Sequence, residues 1–199
     1  MKRIFLVLFC GVLSACQTMP TSSEWLARGE GYAKDGKTAQ AIEAYNRALQ
    51  LNPQRADIYA ARGTAYFSQG EYALAAQDFA ETLNQNPYYT DAYTALASAL
   101  AAQGAYQEAM EVINQVLVIA PSKPEIFFTR GGINFMLEKY DQAVQDYSMV
   151  LRTRPAVDVL EARAAAYSKL GQTEKAKQDL QEAQSGQYLS NLSDYQKIR

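Results

Sequence analysis

The chain has 199 residues, of which 48% are hydrophobic, 20% charged and 11% aromatic. This composition is typical of a folded domain and excludes collagen-like and disordered chains. The 19 basic and 21 acidic residues give a net charge of -2, which excludes the basic surface of a nucleic-acid-binding protein. The sequence has no histidine, so the commonest general base near neutral pH and the commonest metal ligand are both missing.

The first fifteen residues are typical of a secretory signal. Lys2 and Arg3 precede an apolar stretch, 4–13, which is followed by small residues. About ten apolar residues are too few to cross a bilayer, which needs ~17 to 25. We therefore predict a signal peptide rather than a membrane-spanning helix.

Residues 13–16 read Leu-Ser-Ala-Cys, which resembles the lipobox of bacterial lipoproteins. The resemblance implies cleavage before Cys16 and acylation of the Cys16 sulfur. The alternative is an ordinary signal peptide that is cleaved elsewhere. Under the lipoprotein interpretation Cys10 is removed with the signal, so the mature chain has no free thiol and cysteine catalysis is excluded. The predicted segments are a signal peptide over 1–15 and a lipidated tether over 16–21.

The predicted location is the periplasmic face of the bacterial outer membrane, with Cys16 as the lipid anchor. The mature chain would carry 17 basic and 21 acidic residues, so anionic headgroups would not attract it. Attachment would depend on several acyl chains, because one chain binds only reversibly. Gln17 replaces the Asp that resembles an inner-membrane retention signal in enteric bacteria. At ~3.3 Å per residue, the tether over 17–22 reaches only ~20 Å.

The prolines reveal an internal repeat, because Pro53, Pro87, Pro121 and Pro155 are each 34 residues apart. Each unit places large, small and helix-ending residues at the same relative positions. In the unit that starts at residue 22, positions 4, 8, 11, 20, 24, 27 and 32 hold Trp25, Gly29, Tyr32, Ala41, Tyr45, Ala48 and Pro53. This pattern resembles the tetratricopeptide repeat.

The resemblance implies an all-α, right-handed superhelical α-solenoid of about five helix pairs. The predicted repeat domain spans 22–190, with units 22–55, 56–89, 90–123, 124–156 and 157–190. Thr82 and Asn134 depart from the residue types expected at their positions. Residues 191–199 form a tail that belongs to a possible capping helix starting near residue 189. The apolar residues of that helix would be Leu189, Leu192, Tyr195 and Ile198.

Glycines are predicted to serve two purposes in this pattern. Small residues at positions 8 and 20, such as Gly63 with Ala75, would let the two helices of a unit approach closely, while large residues at positions 4, 11 and 24 fill the remaining space. A left-handed glycine would end the first helix of four units, and these glycines are Gly36, Gly70, Gly104 and Gly171.

Arginine at position 7 and aspartate at position 23 occur together in three units. The predicted structural ion pairs are Arg62 with Asp78, Arg130 with Asp146 and Arg163 with Asp179. The third unit has Leu96 and Val112 instead. The first unit has Arg28 without the aspartate, and Glu43 would be its nearest substitute. The alternative is a functional arginine site.

The resemblance also implies a concave groove lined by positions 2, 5, 9, 12 and 13. The clamp by which one subclass binds a C-terminal carboxylate is absent, because the corresponding residues are Leu26, Glu30, Ala61, Asp91 and Ala95. Acids at position 2 suggest either a negative groove for a basic peptide or favourable charges at helix N-termini. These acids are Asp57, Asp91, Glu125 and Asp158.

An apolar part of this groove is the predicted partner-binding site. Gly132 has no packing reason of its own and could admit a partner's backbone. The alternative is that the C-terminal helix of the same chain covers Phe128 and Phe135. The predicted groove residues are Phe67, Thr94, Ser98, Phe128, Gly132, Phe135 and Met136.

No catalytic residue, metal site or cofactor is predicted, since the acids recur at repeat positions and the glycines form no phosphate-binding loop. We expect a non-catalytic scaffold with protein partners in the cell envelope. Lipoproteins of this kind resemble pilotin-like proteins that help outer-membrane secretins of pilus or secretion systems to assemble. They also resemble adaptors for peptidoglycan hydrolases or periplasmic proteases. Both interpretations stay open, as does the choice between monomer and dimer.

Overall fold

The computed structural model describes residues 19–154 and 156–185, and the predicted all-helical solenoid of five helix pairs is confirmed there. The signal peptide, Cys16 and the capping helix near residue 189 lie outside the described residues. The ten described helices are α1 (Ser22–Lys34), α2 (Thr38–Leu51), α3 (Ala56–Ser68), α4 (Tyr72–Gln85), α5 (Thr90–Ala102), α6 (Tyr106–Ile119), α7 (Pro124–Met136), α8 (Tyr140–Thr153), α9 (Val157–Lys169) and α10 (Thr173–Ser185).

The odd-numbered helices form one shared face of the solenoid. Every helix packs against its neighbours in the chain, and α1, α3, α5, α7 and α9 also contact one another in succession. Within the described ranges, the even-numbered helices contact only their chain neighbours. The odd-numbered helices therefore lie closer together and make up the inner, concave face.

The first helix of each unit is followed, two residues after its last residue, by a residue with left-handed backbone. The four predicted glycines have φ between +72° and +83°. In the fourth unit Glu138 takes this position with φ 59°. A side chain in this conformation has its Cβ close to a backbone oxygen, which costs ~1 to 2 kcal/mol. The fourth unit thus makes the same turn at a cost that glycine avoids.

Glycine at position 8 makes room for the aromatic ring at position 24. A Cβ on Gly131 would lie 2.7 Å from the Tyr147 ring, and one on Gly63 would lie 2.9 Å from the Phe79 ring. The atoms that need the space therefore belong to the ring, and not to the alanine at position 20 that the sequence pattern favoured. The third unit has Ala97 at position 8, and the smaller Ile113 faces it from position 24.

The three predicted arginine–aspartate pairs connect the two helices of their units. Asp78 accepts hydrogen bonds from Arg62 at 2.8 and 2.7 Å, and its side chain is only 7% exposed. Arg62 also donates to Oδ1 of Asn46 in the preceding unit at 2.6 Å. The hydrogen bonds that Arg62 donates to Asp78 raise the pKa of the Arg62 guanidinium. Such an arginine joins two units as well as two helices.

The pair in the fourth unit is completed differently. Asp146 accepts from the Arg130 guanidinium and also from Nδ2 of Asn134, at 2.9 Å. Asn134 stands where a tyrosine is usual, and it is buried. The unusual residue therefore satisfies a buried carboxylate.

The other two departures from the pattern are also explained by local contacts. The buried Thr82 hydroxyl donates to the Asp78 carbonyl oxygen at 2.9 Å, so it leaves no unpaired polar group. The suggested substitute pair of Arg28 with Glu43 is wrong, because none of the ion pairs in the described chain includes them. Arg28 instead lies over the Trp25 ring, 4.8 Å from its centroid.

Candidate binding groove

An apolar cavity on the inner face lies between α5 and α7. Its volume is about 490 Å³. Ser98 contributes one wall, while Phe128, Gly132, Phe135 and Met136 contribute the other. Five of the seven predicted groove residues therefore come together. We call this cavity the α5–α7 groove.

The two phenylalanines are more deeply set than the sequence pattern indicated. Phe128 and Phe135 are half-buried and pack against the core of the fourth unit, rather than facing water. The Phe128 ring lies 5.9 Å from the Tyr147 ring, and the Phe135 ring meets Tyr140 edge-on at 5.3 Å. This packing holds both rings in place, so the groove wall is preformed.

Met136 and Gly132 determine how much of the groove is open. Met136 is the last residue of α7, and it is 54% exposed. A Cβ on Gly132 would meet nothing closer than the Tyr147 hydroxyl at 3.9 Å. The glycine therefore leaves free volume above the helix backbone, unlike its neighbour Gly131.

The remaining two predicted residues lie elsewhere. Phe67 lines a smaller cavity of about 250 Å³, which adjoins the α5–α7 groove because both are lined by Ser98. Thr94 lines neither cavity, and its hydroxyl donates to the Asp91 carbonyl oxygen at 2.9 Å. A helical threonine satisfies its own hydroxyl in this way. Thr94 was predicted to line the groove, and in the structure it lies on α5 but lines neither cavity.

Sequence reasoning did not place Tyr147 in the groove. This residue belongs to α8, on the outer layer, and its side chain reaches the groove beside Gly132. Burial and the nearby Asp146 raise the pKa of Tyr147 to about 12. The adjacent glycines were the signal, because Gly131 lets the Tyr147 ring pack against α7 and Gly132 leaves space beside the Tyr147 hydroxyl.

The acids at position 2 do not make the groove negative. Asp57 pairs with Arg55 at 2.6 Å, and the hydrogen bond from Arg55 lowers the pKa of Asp57. Asp91 pairs with the Lys123 ammonium at 2.6 Å. Asp158 pairs in the same manner, with Arg154 at 3.4 Å. Since cations already neutralise three of the four acids, the groove is chiefly apolar in character.

Neither a metal-binding cluster nor a membrane-spanning helix occurs in the described part of the chain. Residues 19–154 and 156–185 contain no group of three potential metal ligands. The same ranges contain no helix that is both long enough and apolar enough to span a bilayer.

Family models of tetratricopeptide repeats match three parts of the chain. A model described as TPR repeat matches residues 29–70. Two models described as tetratricopeptide repeat match residues 66–127 and 157–185. Comparison with curated protein sequences gives no match.

Solved structures of similar fold include repeat proteins from several bacteria. The structure of Pseudomonas aeruginosa pilF is 23% identical, with a TM-score of 0.72 over 83% of this chain and 76% of that chain. TTC0263, a thermophilic TPR protein of Thermus thermophilus, is 20% identical, with a TM-score of 0.71 over 82% and 90%. MamA of Desulfovibrio magneticus is 13% identical, with a TM-score of 0.72 over 82% and 93%.

At these identities the solved structures establish the fold alone. The repeat models cover all of 29–127 and then 157–185, which is more than half of the chain. The match over 157–185 coincides with the pair α9 and α10. The chain therefore belongs to the tetratricopeptide repeat proteins, whose repeats are generally non-catalytic modules for protein interaction.

Proposed function

We propose that this chain is a lipid-anchored scaffold on the periplasmic face of the outer membrane, where it holds a protein partner in the α5–α7 groove. The partner would be a component of a pilus or secretion system, and the scaffold would help that component to assemble or reach its place. In this proposal Cys16 carries the lipid and the groove binds the partner protein.

The single observation that supports the groove is its preformed apolar wall. A cavity of about 490 Å³ is within the usual range for binding sites, which is ~300 to 1,000 Å³. Phe128 and Phe135 are fixed by ring contacts, so a partner would lose little free energy in ordering them. An apolar side chain that is removed from water gains ~1.5 to 3 kcal/mol. An amphipathic helix or an extended apolar segment of a partner fits this chemistry.

The pilus or secretion assignment is supported by the sequence. The lipobox-like residues 13–16 and the tandem repeats together resemble pilotin-like lipoproteins. The fold of Pseudomonas aeruginosa pilF is among those similar to this chain, although that likeness concerns the fold only. The second interpretation, an adaptor for cell-wall enzymes, would use the same groove and differs in the identity of the partner.

A substitution of Gly132 tests the groove without weakening the fold. Gly132→Gln places a polar side chain in the groove, and a helix gains ~0.8 to 1 kcal/mol when glycine is replaced by a good helix former. Gly31→Gln is the matched control, because Gly31 is an exposed helical glycine with no neighbouring atom within 4 Å. Both variants should melt at or above the temperature of the unchanged chain. Only Gly132→Gln should lose its partner.

The partner is identified by photo-crosslinking in intact envelopes. A crosslinking amino acid at position 136 samples the groove, and one at position 74 samples an exposed position on α4. We expect a product from position 136, formed with a secretin or another pilus or secretion component, that disappears in Gly132→Gln. A product with a peptidoglycan hydrolase or protease would overturn the pilus assignment in favour of the adaptor. Equal products from both positions, or none from either, would overturn the groove.

The anchor is tested separately by Cys16→Ser. The unchanged chain should fractionate with the outer membrane, and its N-terminal peptide should carry the mass of the acyl groups. The Cys16→Ser chain should be released in soluble form. An unmodified N-terminal peptide from the unchanged chain would overturn the lipid anchor.

A further inference from the structure

A second open surface lies at the N-terminal end of the described solenoid. It is a cavity of about 350 Å³ between the start of α1 and the end of α2. Met19 and Leu51 are 89% and 56% exposed there. We call this surface the anchor-proximal face, and its residues include Met19, Pro20, Trp25, Glu43, Arg47 and Leu51.

Covalent geometry limits how far this face can lie from the proposed lipid anchor. Met19 follows Cys16 by only three residues. A fully extended chain spans at most ~3.3 to 3.6 Å per residue, so their Cα atoms are at most ~11 Å apart. The two headgroup regions of a bilayer add ~10 to 15 Å to its thickness, so each is only ~5 to 8 Å thick. A lipidated Cys16 therefore brings Met19 to the membrane surface.

We infer that the anchor-proximal face lies against the lipid headgroups and orients the solenoid on the bilayer. This inference rests on the proposed lipidation of Cys16. Trp25 is suited to the role because tryptophan, with an apolar ring and a polar N–H group, is enriched at membrane interfaces. Met19 and Leu51 lie beside it, and the membrane contact would remove their exposed apolar side chains from water.

The charges of this face indicate a contact that does not depend on anionic lipid. Two of the residues that line this face are charged, Arg47 and Glu43, and their charges are opposite. Opposite charges in equal number give little net attraction to a charged surface. The contact should therefore persist at high salt and on vesicles with few anionic lipids.

Because the lipid tether already attaches the chain, a weak affinity of the anchor-proximal face for the membrane is enough to orient the solenoid. A short link raises the effective concentration of the second binding group to the millimolar range. The apolar contact then needs only to select one orientation of a body that is already attached. In that orientation α1 and α2 are nearest the membrane. The α5–α7 groove begins on the order of 16 to 20 Å farther away, since α5 is two helix spacings from α1 on the inner face and packed helices are ~8 to 10 Å apart.

The tryptophan itself reports on this contact, because the chain contains only one. The experiment uses the full lipidated chain on vesicles of phosphatidylethanolamine with a small share of phosphatidylglycerol. Lipids with brominated acyl chains quench nearby tryptophans. We expect a blue shift of the Trp25 emission on attachment and a loss of its intensity with brominated lipid, both unchanged at high salt. Floated chain whose emission is neither shifted nor quenched would overturn the inference.

Two substitutions distinguish a lipid contact from simple proximity. Met19→Ser with Leu51→Ser removes two exposed apolar side chains and should reduce the quenching while leaving vesicle attachment and melting temperature unchanged. Val118→Ser with Ile119→Ser is the control, since these exposed residues lie at the end of α6. Equal quenching in all three chains would show that the tether alone positions Trp25, and would overturn the inference.

The same samples keep this inference separate from the anchor. Mass analysis of the N-terminal peptide shows whether Cys16 is acylated. Chains that are acylated and float with the vesicles, but whose Trp25 emission is unchanged, contradict only the proposed membrane contact. Chains that carry no acyl group and do not float contradict the anchor, and with it this inference.

Discussion

The second and fourth units have the same internal packing but different inner faces. Both have glycine at position 8, an aromatic ring at position 24 and an arginine–aspartate pair. On the inner face, Ala60 and Thr64 of the second unit correspond to Phe128 and Gly132 of the fourth. The cavity beside the second unit measures about 250 Å³, against about 490 Å³ for the α5–α7 groove. The residues that hold a unit together are therefore separate from those that shape its binding surface.

Truncation of the buried aspartate should have the largest effect. Removing one partner of a buried ion pair costs ~3 to 5 kcal/mol, because the remaining charge is unpaired. Asp146→Ala leaves both Arg130 and Asn134 without their acceptor. In Asp78→Ala, Arg62 keeps its bond to Asn46. Urea unfolding should therefore show a greater loss for Asp146→Ala. Equal losses would mean that Asn134 adds nothing to the pair.

The glycine at position 8 should tolerate no side chain while position 24 of the same unit holds an aromatic ring. Gly131→Ala forces a methyl group to within 2.7 Å of the Tyr147 ring, and we expect a loss of ~1 to 3 kcal/mol. We expect a similar loss for Gly63→Ala, because its methyl group would lie 2.9 Å from the Phe79 ring and 3.1 Å from the Asp78 Cβ. Gly131→Ala combined with Tyr147→Ile copies the third unit and should recover part of the loss. No recovery in thermal unfolding would contradict the proposed match of positions 8 and 24.

The loss of stability at alkaline pH should depend in part on the ionisation of Tyr147. The folded-state pKa of Tyr147 is about 12, above an ordinary value of ~10, so the folded state holds this proton more tightly. The stabilisation of the folded state by the raised pKa of Tyr147 is present below pH ~10 and is lost as the pH rises from ~10 to ~12. We expect a loss of ~2 to 3 kcal/mol over that interval. Unfolding free energies of Tyr147→Phe should lack this part of the decline, while those of Tyr45→Phe should retain it.

The sequence predicted the repeated features of the structure because they recur every 34 residues. Helix pairs, left-handed glycines and the three ion pairs each appear at fixed positions, so the several copies support one another. The ion pairs also follow from charge, since a buried aspartate requires a partner. The features that recur in several units could therefore be predicted from this one sequence, without related sequences.

The features that occur once were predicted less well. The half-buried state of Phe128 depends on its contact with Tyr147, which belongs to another helix and another layer. Thr94 has the expected position in its helix, yet its hydroxyl bonds locally and the groove begins one turn farther along, at Ser98. Periodicity gives the face on which a residue lies, but the shape of a cavity depends on the sizes of side chains from three helices.

The smallest expected effect concerns the turn between α7 and α8. Glu138 has φ 59°, where the second unit has Gly70 with φ 80°. Glu138→Gly removes the left-handed strain but makes the unfolded chain more flexible, which costs ~0.4 to 1 kcal/mol. We expect a net gain of ~0.5 kcal/mol, or ~1 to 2 °C in melting temperature. The reverse change, Gly70→Glu, should lower stability by a similar amount. Gly70 and Glu138 do not line the α5–α7 groove, although Glu138 follows the groove residue Met136 by two positions. We expect unchanged partner binding in both variants, and an effect of Glu138→Gly on binding would show that this turn shapes the groove.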